Sequence, residues 1–496
     1  MSLTLWTAFA LFLCYRVYRI IYNLYLHPLA KVPGPKLYAI SWLPRLWHQQ
    51  IRGTHWKNLV ALHDKYGRIV RTGPDEVSNA SAKAWDDICG SKTFVRDLNF
   101  LRVTQLDERH SFISPVKTEH NTVRRLLQPA FTDRSLLRHE KILGEWTEKL
   151  RANIAGEHGS PVDVAQKLVW MTFDTMGVLS FGESFGCLDK NRQHPYLKAI
   201  ELGAPFLSLL QIILRYEATR GLYAMFLKLP WMRFWNSLRA TAEAKAAKWV
   251  ENADESRGDV MSVIWKAMQD QKTPISQRQA DDLASILCLA GAESTPVLMS
   301  GMVWWILSTP HAHARLREEI RTAIRQASDI TVPNVSRLPY LDACIMESLR
   351  QHTPFSVAIP RIVPEGGAVV DGYFLPAGTV CGVPHWASAH LTSHFADPDM
   401  FVPERWLPDP DPRYAGDKRD TFKPFAKGSL DCIGKRLVYH EVRMVMATLF
   451  WHFDMELCPE SRDWVAGANA TVRMMREKGA LFIRANPASV GEVAES

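Results

Sequence analysis

Seven stretches with helical spacing of apolar residues set what this chain can become: 121–131, 136–154, 162–179, 238–250, 281–307, 312–327 and 341–351. Apolar side chains that return every three to four residues line one face of a helix, and that face needs a partner surface. Strand-like pieces are fewer and shorter, at 69–72, 358–363, 368–370 and 379–383. Asp371-Gly372 and Ala377-Gly378 read as turns beside them. The expected fold class is mainly α with small β-sheets, an α+β arrangement. No Gly/Ser-rich linker, long charge block or internal repeat divides the 496 residues, so one large domain is expected rather than three of average size.

Residues 3–14, LTLWTAFALFLC, are uncharged and apolar; Arg16 and Arg19 interrupt the pattern, which then continues to Leu26. The strict run is too short for a bilayer core, which needs ~20 residues. Counted to Leu26, with both arginines snorkelling to the interface, the length suffices. A cleaved signal peptide would carry basic residues before the run and a small-residue site after it, and this segment has neither. We expect a single membrane anchor over 1–26. Lys31, Lys36 and Arg45 follow it and put the body on the cytoplasmic side. A hinge over 27–36, with Pro33-Gly34-Pro35, stops the helix, and the domain proper runs over 37–496.

The net charge of +7 suits a lipid surface or an acidic partner. Nucleic-acid binding is not expected, because no dense basic stripe with interleaved aromatics occurs. The eight cysteines are scattered without a C-x-x-C pair, which fits neither a disulfide framework nor a zinc finger. Most should be buried, reduced and inert.

Cys432 is the exception. It lies in Phe425-Ala426-Lys427-Gly428-Ser429-Leu430-Asp431-Cys432-Ile433-Gly434. A cysteine between two glycines reads as a loop whose backbone amides turn toward sulfur. Gly434 opens a helix over 435–452, whose free N–H groups and positive end stabilise a thiolate. Gly428 leaves room for a flat ligand, and Phe425 shields the sulfur from water.

This segment resembles the haem-binding signature of the cytochrome P-450 family, F-x-x-G-x-R-x-C-x-G. Phe425, Gly428, Cys432 and Gly434 fall on its fixed positions, whereas Leu430 stands where the family carries an arginine for a haem propionate. Glu347 and Arg350, at i and i+3, with Arg405 in Pro403-Glu404-Arg405-Trp406, resemble the family's structural ion network. Ala290-Gly291-Ala292-Glu293-Ser294-Thr295 resembles its oxygen-activation notch. There Gly291 would make room for dioxygen, and Glu293 and Ser294 would relay protons, with Ser294 in place of the usual threonine. The bland reading of Gly291 is a helix–helix contact. His120 and Arg124 resemble a propionate-binding pair, and Arg361 another propionate partner. Residues 23–29, 33–35 and 363–367 resemble fungal microsomal members.

The resemblance implies a cytochrome P-450 fold holding haem b (iron protoporphyrin IX), with Cys432 as the iron ligand. It implies a monooxygenase that inserts one oxygen atom of O2 into an apolar small molecule, a fungal secondary-metabolite intermediate. The site is expected at the endoplasmic reticulum membrane. Electrons must come from outside, because no G-x-G-x-x-G nucleotide fingerprint is present; an NADPH-cytochrome reductase is the expected donor. Lys423, Lys427, Lys435 and Arg436 offer a docking face. Residues 206–214 and 223–235 resemble access-channel helices, and Phe355, Val357 and Ala358 are expected above the haem.

Four rivals stand beside this reading. Gly182-Glu183-Ser184-Phe185-Gly186 fits the serine-hydrolase elbow, but a helical stretch rather than a strand precedes it. His390 and His394 have zinc-site spacing without the glutamate of H-E-x-x-H, so surface histidines are expected. A haem-thiolate isomerase or dehydratase is opposed by Glu293 and Ser294. A non-catalytic haem sensor would show no turnover.

Overall fold

The computed structural model describes residues 2–97, 117–215, 225, 232–251, 259–270, 275–467 and 479–488. In chain order the long helices are α1 (Ser2–Ile21), α2 (His55–Tyr66), α3 (Lys117–Leu127), α4 (Asp133–Ala155), α5 (Val164–Phe181), α6 (Pro195–Arg215), α7 (Met232–Glu251), α8 (Gln277–Leu307), α9 (Pro310–Ala323), α10 (Pro339–Gln351) and α11 (Lys435–His452). Mainly helical architecture with small sheets is thus the observed class.

The longest helix starts at a reciprocal cap. Ser276 accepts from the Gln279 N–H, and the Gln279 side chain accepts from the Ser276 N–H. From there α8 runs through the middle of the molecule against α5, and packs on α10 and α11 as well. Helix α5 is buried on nearly every side, its polar Lys167 and Asp174 included. One large cluster of buried side chains joins α3, α4, α5, α8, α9, α10 and α11.

The strands are β1 (Ile69–Gly73), β2 (Glu76–Asn79), β3 (Val95–Arg96), β4 (Val162–Asp163), β5 (Arg361–Ile362), β6 (Ala368–Val370), β7 (Tyr373–Leu375), β8 (Val380–Gly382), β9 (Phe453–Leu457) and β10 (Phe482–Pro487). They form a sheet of order β1-β2-β8-β5-β3, a second of order β4-β10-β9, and a β6-β7 hairpin. Among the described residues only β2 and β8 run parallel.

Several boundaries differ from the periodicity for identifiable reasons. The strand expected over 358–363 shrinks to β5, because Pro360 has no N–H to give a ladder. The first two residues of 162–179 pair with β10 instead of entering the helix, and Asp163 caps α5 by accepting from the Gln166 N–H. Pro129 ends the 121–131 helix early, at Leu127, with a tighter turn after it.

Helix α1 is apolar and exposed: Leu5, Trp6, Phe9, Leu11, Phe12 and Leu13 all face outward. Residues Thr4–Leu26 and α8 are both long and apolar enough to cross a membrane, but α8 is mostly buried in protein. The proline hinge lies on the sheet. The Arg71 N–H donates to Pro33 O at 2.7 Å, and a Cβ on Gly34 would come within 2.6 Å of Arg71 O.

Candidate functional site: a thiol loop beneath a buried cationic cluster

Helix α11 begins at Lys435 with Gly434 as its N-cap, so Cys432 sits just before a helix start. The amides of Gly434 and Lys435 hydrogen-bond the sulfur, and the Cys432 N–H donates to Phe425 O at 2.9 Å. Burial pushes the thiol above its usual range. The Gly434 amide opposes that shift, Asp431 adds to it, and Arg124 and the Lys435 amide oppose it again. Protein crowds the wider surroundings of Cys432, yet the residue itself keeps accessible surface. A ligand can therefore reach the sulfur from one side. The Phe425 ring packs toward Tyr439, with Lys435 above it.

Gly428 serves the backbone rather than a ligand. Its φ is +85°, and a Cβ there would run into Cys89 O. The loop thus rests directly on the Cys89-Gly90 backbone. The other seven cysteines carry no disulfide, and five of them are buried.

Four cationic or basic side chains gather nearby. Strands β3 and β5 pair so that Arg96 and Arg361 face each other directly, at 9% and 2% exposure. Like charges opposite one another destabilise a sheet unless something neutralises them. Arg96 is lowered to about 9, by burial first and then by the charges of Arg361 and Arg124. Arg361 is also pulled below its usual value by burial, and its Nη1 has no hydrogen-bond partner. His120 is fully buried and drops to about 4, through burial first and then the charge of Arg96. Arg124, on the same helix, donates to Asp431 O at 2.8 Å and to Asp431 Oδ1 at 2.5 Å.

Arg96 escaped the sequence reading, since a single arginine in a two-residue strand carries no motif. The signal that finds it is its register opposite Arg361. A buried set of cations with an orphaned guanidinium N–H is arranged for an anion with more than one negative group. A haem, with two propionates and an iron for the sulfur, fits these residues.

The helix α8 contributes a notch. Ala290 is exposed and Ser294 is partly so, within a helix whose neighbours are mostly buried. The Ser294 hydroxyl donates to Ala290 O at 2.8 Å, the i−4 bond that bends helices, and Pro296 removes one further backbone donor. Glu293 is buried at 8% exposure near Tyr196. Gly291 answers to packing: a Cβ there would lie 2.6 Å from Met176 Sδ on α5. The space that a Gly291 side chain would take is occupied by Met176.

The ion network is fully buried. Arg350 Nε and Nη2 donate to Glu347 Oε2 and Oε1 at 2.9 and 2.7 Å, and Arg405 Nε donates to Oε1 at 3.2 Å; all three residues have 0% exposure. Trp406 Nε1 and the Val402 N–H complete the glutamate's partners. The second carboxylate, Asp417, pairs with Arg405 and was not foreseen. Arg350 also donates to Ala389, Pro398 and Met400 carbonyls, so the network fixes the 389–405 segment.

Other candidates lie elsewhere. Ser184 follows helix α5 at a left-handed Gly182, with no strand before it, and Asp174 accepts from the amides of Phe185, Cys187 and Leu188; the elbow is a turn. His390 and His394 are buried, not on the surface. Their ring nitrogens meet Trp386 O, Gln351 Oε1 and Ser388 O, and no metal-ligating cluster occurs among the described residues. Val357 and Phe355 pack with Trp56 and Tyr38 beside α2. Lys427 pairs with Asp86 and Arg436 with Asp133, while Lys423 lies partly exposed. Most of the 223–235 stretch, and the side chains of 206–210, lie outside the described residues.

Fold and site together define a haem-thiolate protein: a helical body with a cysteine at a helix start and a buried cationic cluster. The comparisons agree. The Cytochrome P-450 family profile matches residues 33–481, and the chain belongs to that family. It is 34% identical over 481 residues to the cytochrome P-450 monooxygenase aclL of Aspergillus oryzae, covering 95% of this chain and 96% of the relative. It is 32% identical over 489 residues to the monooxygenase astA of Talaromyces wortmannii, covering 98% and 97%. Averantin hydroxylase of Dothistroma septosporum is 31% identical over 498 residues, covering 98% and 90%. The chain is a haem-dependent monooxygenase, and such enzymes need a redox partner and an organic substrate.

Proposed function

We propose that this chain inserts one atom of O2 into an apolar small molecule in fungal secondary metabolism, by hydroxylation or epoxidation. The cofactor would be haem b, and the electron donor a separate NADPH reductase. The relatives support the reaction class, one of them being named a hydroxylase. The observation that carries the site assignment is the Cys432 sulfur with two amide hydrogen bonds, together with the buried Arg96–Arg361 pair.

In this reading haem supplies the oxidising chemistry once Cys432 ligates it, since a thiolate ligand favours O–O cleavage. The protein's part is orientation and protons. Arg361 and Arg96 neutralise and orient the propionates, His120 can donate a ring N–H to one of them as a neutral imidazole, and Arg124 adds its charge to that cluster. The Gly434 and Lys435 amides hold the sulfur in its charged form. Ser294 donates to Ala290 O and keeps oxygen lone pairs that can accept a hydrogen bond from a water, and Glu293 stands one residue away as the second member of the relay. Residues 1–26 anchor the chain, which places the 37–496 domain at the endoplasmic reticulum surface on the cytoplasmic side.

The test is reconstitution with an NADPH reductase, apolar candidate substrates and isotopically labelled dioxygen. One labelled oxygen in the product is expected, and unlabelled or absent product contradicts the proposal. Ser294→Ala should keep the haem spectrum while diverting oxygen to peroxide. Unchanged coupling of oxygen to product removes Ser294 from the proton path.

A further inference from the structure

The peptide bond that precedes Cys432 is held at both ends. Its carbonyl, Asp431 O, accepts from Arg124 Nη1 at 2.8 Å, and its N–H donates to Phe425 O at 2.9 Å. The Asp431 carboxylate accepts from Arg124 Nη2 at 2.5 Å, so one guanidinium grips main chain and side chain of the same residue. The donor sits on α3, which is 307 residues away in sequence. Arg124 is 20% exposed and Asp431 38%, so solvent weakens the pair only in part.

A planar fork with fixed N–H directions is what such a two-point grip requires, and a lysine cannot supply it. The orientation of the 431–432 peptide plane sets where the Cα–Cβ bond of Cys432 points. The other side of the sulfur is set by the Gly434 and Lys435 amides. The loop itself brings no cation at residue 430, where a leucine stands.

We propose that Arg124 is a positioning residue that clamps the thiol loop through Asp431, leaving Arg96 and Arg361 as the main propionate partners. This rests on the haem-thiolate assignment of the site. Arg96 and Arg361 are suited to the propionates because they face one another, and Arg361 Nη1 lacks a partner. Arg124 has already committed two of its nitrogens to Asp431. Charge and position have different signatures. Removing the Arg124 cation and removing the Asp431 anion act on the iron potential with opposite signs. Loosening the loop acts the same way in both.

The experiment compares holoenzymes carrying Arg124→Met, Arg124→Lys, Asp431→Asn, the Arg124→Met/Asp431→Asn pair, and Arg361→Met. Three readouts are taken: persistence of the thiolate-type band of the reduced carbon-monoxide complex, the rate of haem transfer to an acceptor globin, and the midpoint potential. The clamp predicts that Arg124→Met and Asp431→Asn both shorten the life of the thiolate band. The double variant should be no worse than Arg124→Met alone, and Arg124→Lys should fail to restore it. Haem transfer should speed up by about tenfold in Arg361→Met, the loss expected for one charge-assisted bond, and much less in Asp431→Asn.

Additive losses in the double variant overturn the clamp. So does rescue by lysine, or an Arg124→Met haem-transfer rate equal to that of Arg361→Met with Asp431→Asn silent. Opposite shifts in midpoint potential with no change in band life reduce Arg124 to a charge and also overturn it. A wild-type protein without any thiolate band overturns the site assignment and the clamp together, which separates the two failures.

Discussion

Glu441 shows how far burial alone can move a side chain. It sits on α11 at 2% exposure, and burial raises its carboxyl to about 8; its Oε1 has no partner. The folded state therefore prefers the protonated acid. Its contribution to stability is complete below the ordinary carboxyl value and is lost as pH rises through about 8. Glu441→Gln should flatten the alkaline side of the stability profile and gain about 1–3 kcal/mol near pH 8. Denaturant unfolding of wild type and variant across pH 5 to 9 checks this, and parallel profiles would show that Glu441 is ionised and solvated. Gly428 and Gly291 carry a second lesson at this scale. At each of them an added Cβ would meet protein: Cys89 backbone in one case, Met176 in the other. Sequence marks where a side chain must be absent but not what fills the space. Gly291→Ala should destabilise through overpacking against Met176, by about 1–3 kcal/mol, and Met176→Ala should relieve that cost. No relief would return Gly291 to a role at the notch.

At the scale of elements, the ion network joins α10 to the segment that leads into the thiol loop. Glu347 serves two buried arginines, so Glu347→Gln leaves Arg350 without a carboxylate and Arg405 with Asp417 alone. The expected cost is about 3–5 kcal/mol. Thermal unfolding measures it, and a change below 1 kcal/mol would show that the arginines are compensated by their carbonyl partners. The helix over 435–452 was legible to the residue because a glycine and a long apolar period define it. The short strands were not, since two or three residues of pairing leave no period. That is why Arg96 was invisible while Arg361, one strand away, stood in a recognisable motif. His390 and His394 misled for a related reason: their hydrogen-bond partners are the carbonyls of Trp386 and Ser388 and the side chain of Gln351 on α10, contacts that spacing alone does not report.

For the whole molecule, three buried histidines make an acid limit. His63, His120 and His385 are each lowered to about 4, chiefly by burial. Unfolded histidine binds its proton near 6.5, so the unfolded chain takes up protons first. Stability contributed by these groups is present above that value and is lost as pH falls toward 4. Haem retention and helicity should therefore drop together between pH 6 and 4. Full stability held to pH 4 would place these rings in polar, hydrated surroundings. The class of fold, the exposed apolar N-terminal helix and the glycine-flanked thiol were readable because each rests on a long period or a dense motif. The cationic cluster needed three dimensions, since it is assembled from β3, α3 and β5.

The proposed bond between the Cys432 sulfur and iron underlies the functional reading. The direct measurement is the carbon-monoxide difference spectrum of the reduced protein, recorded for wild type and Cys432→Ser. The account predicts a thiolate-type Soret band in the wild type and its loss in the variant. A nitrogen-ligated spectrum, no bound haem, or an unchanged band in the variant would contradict it.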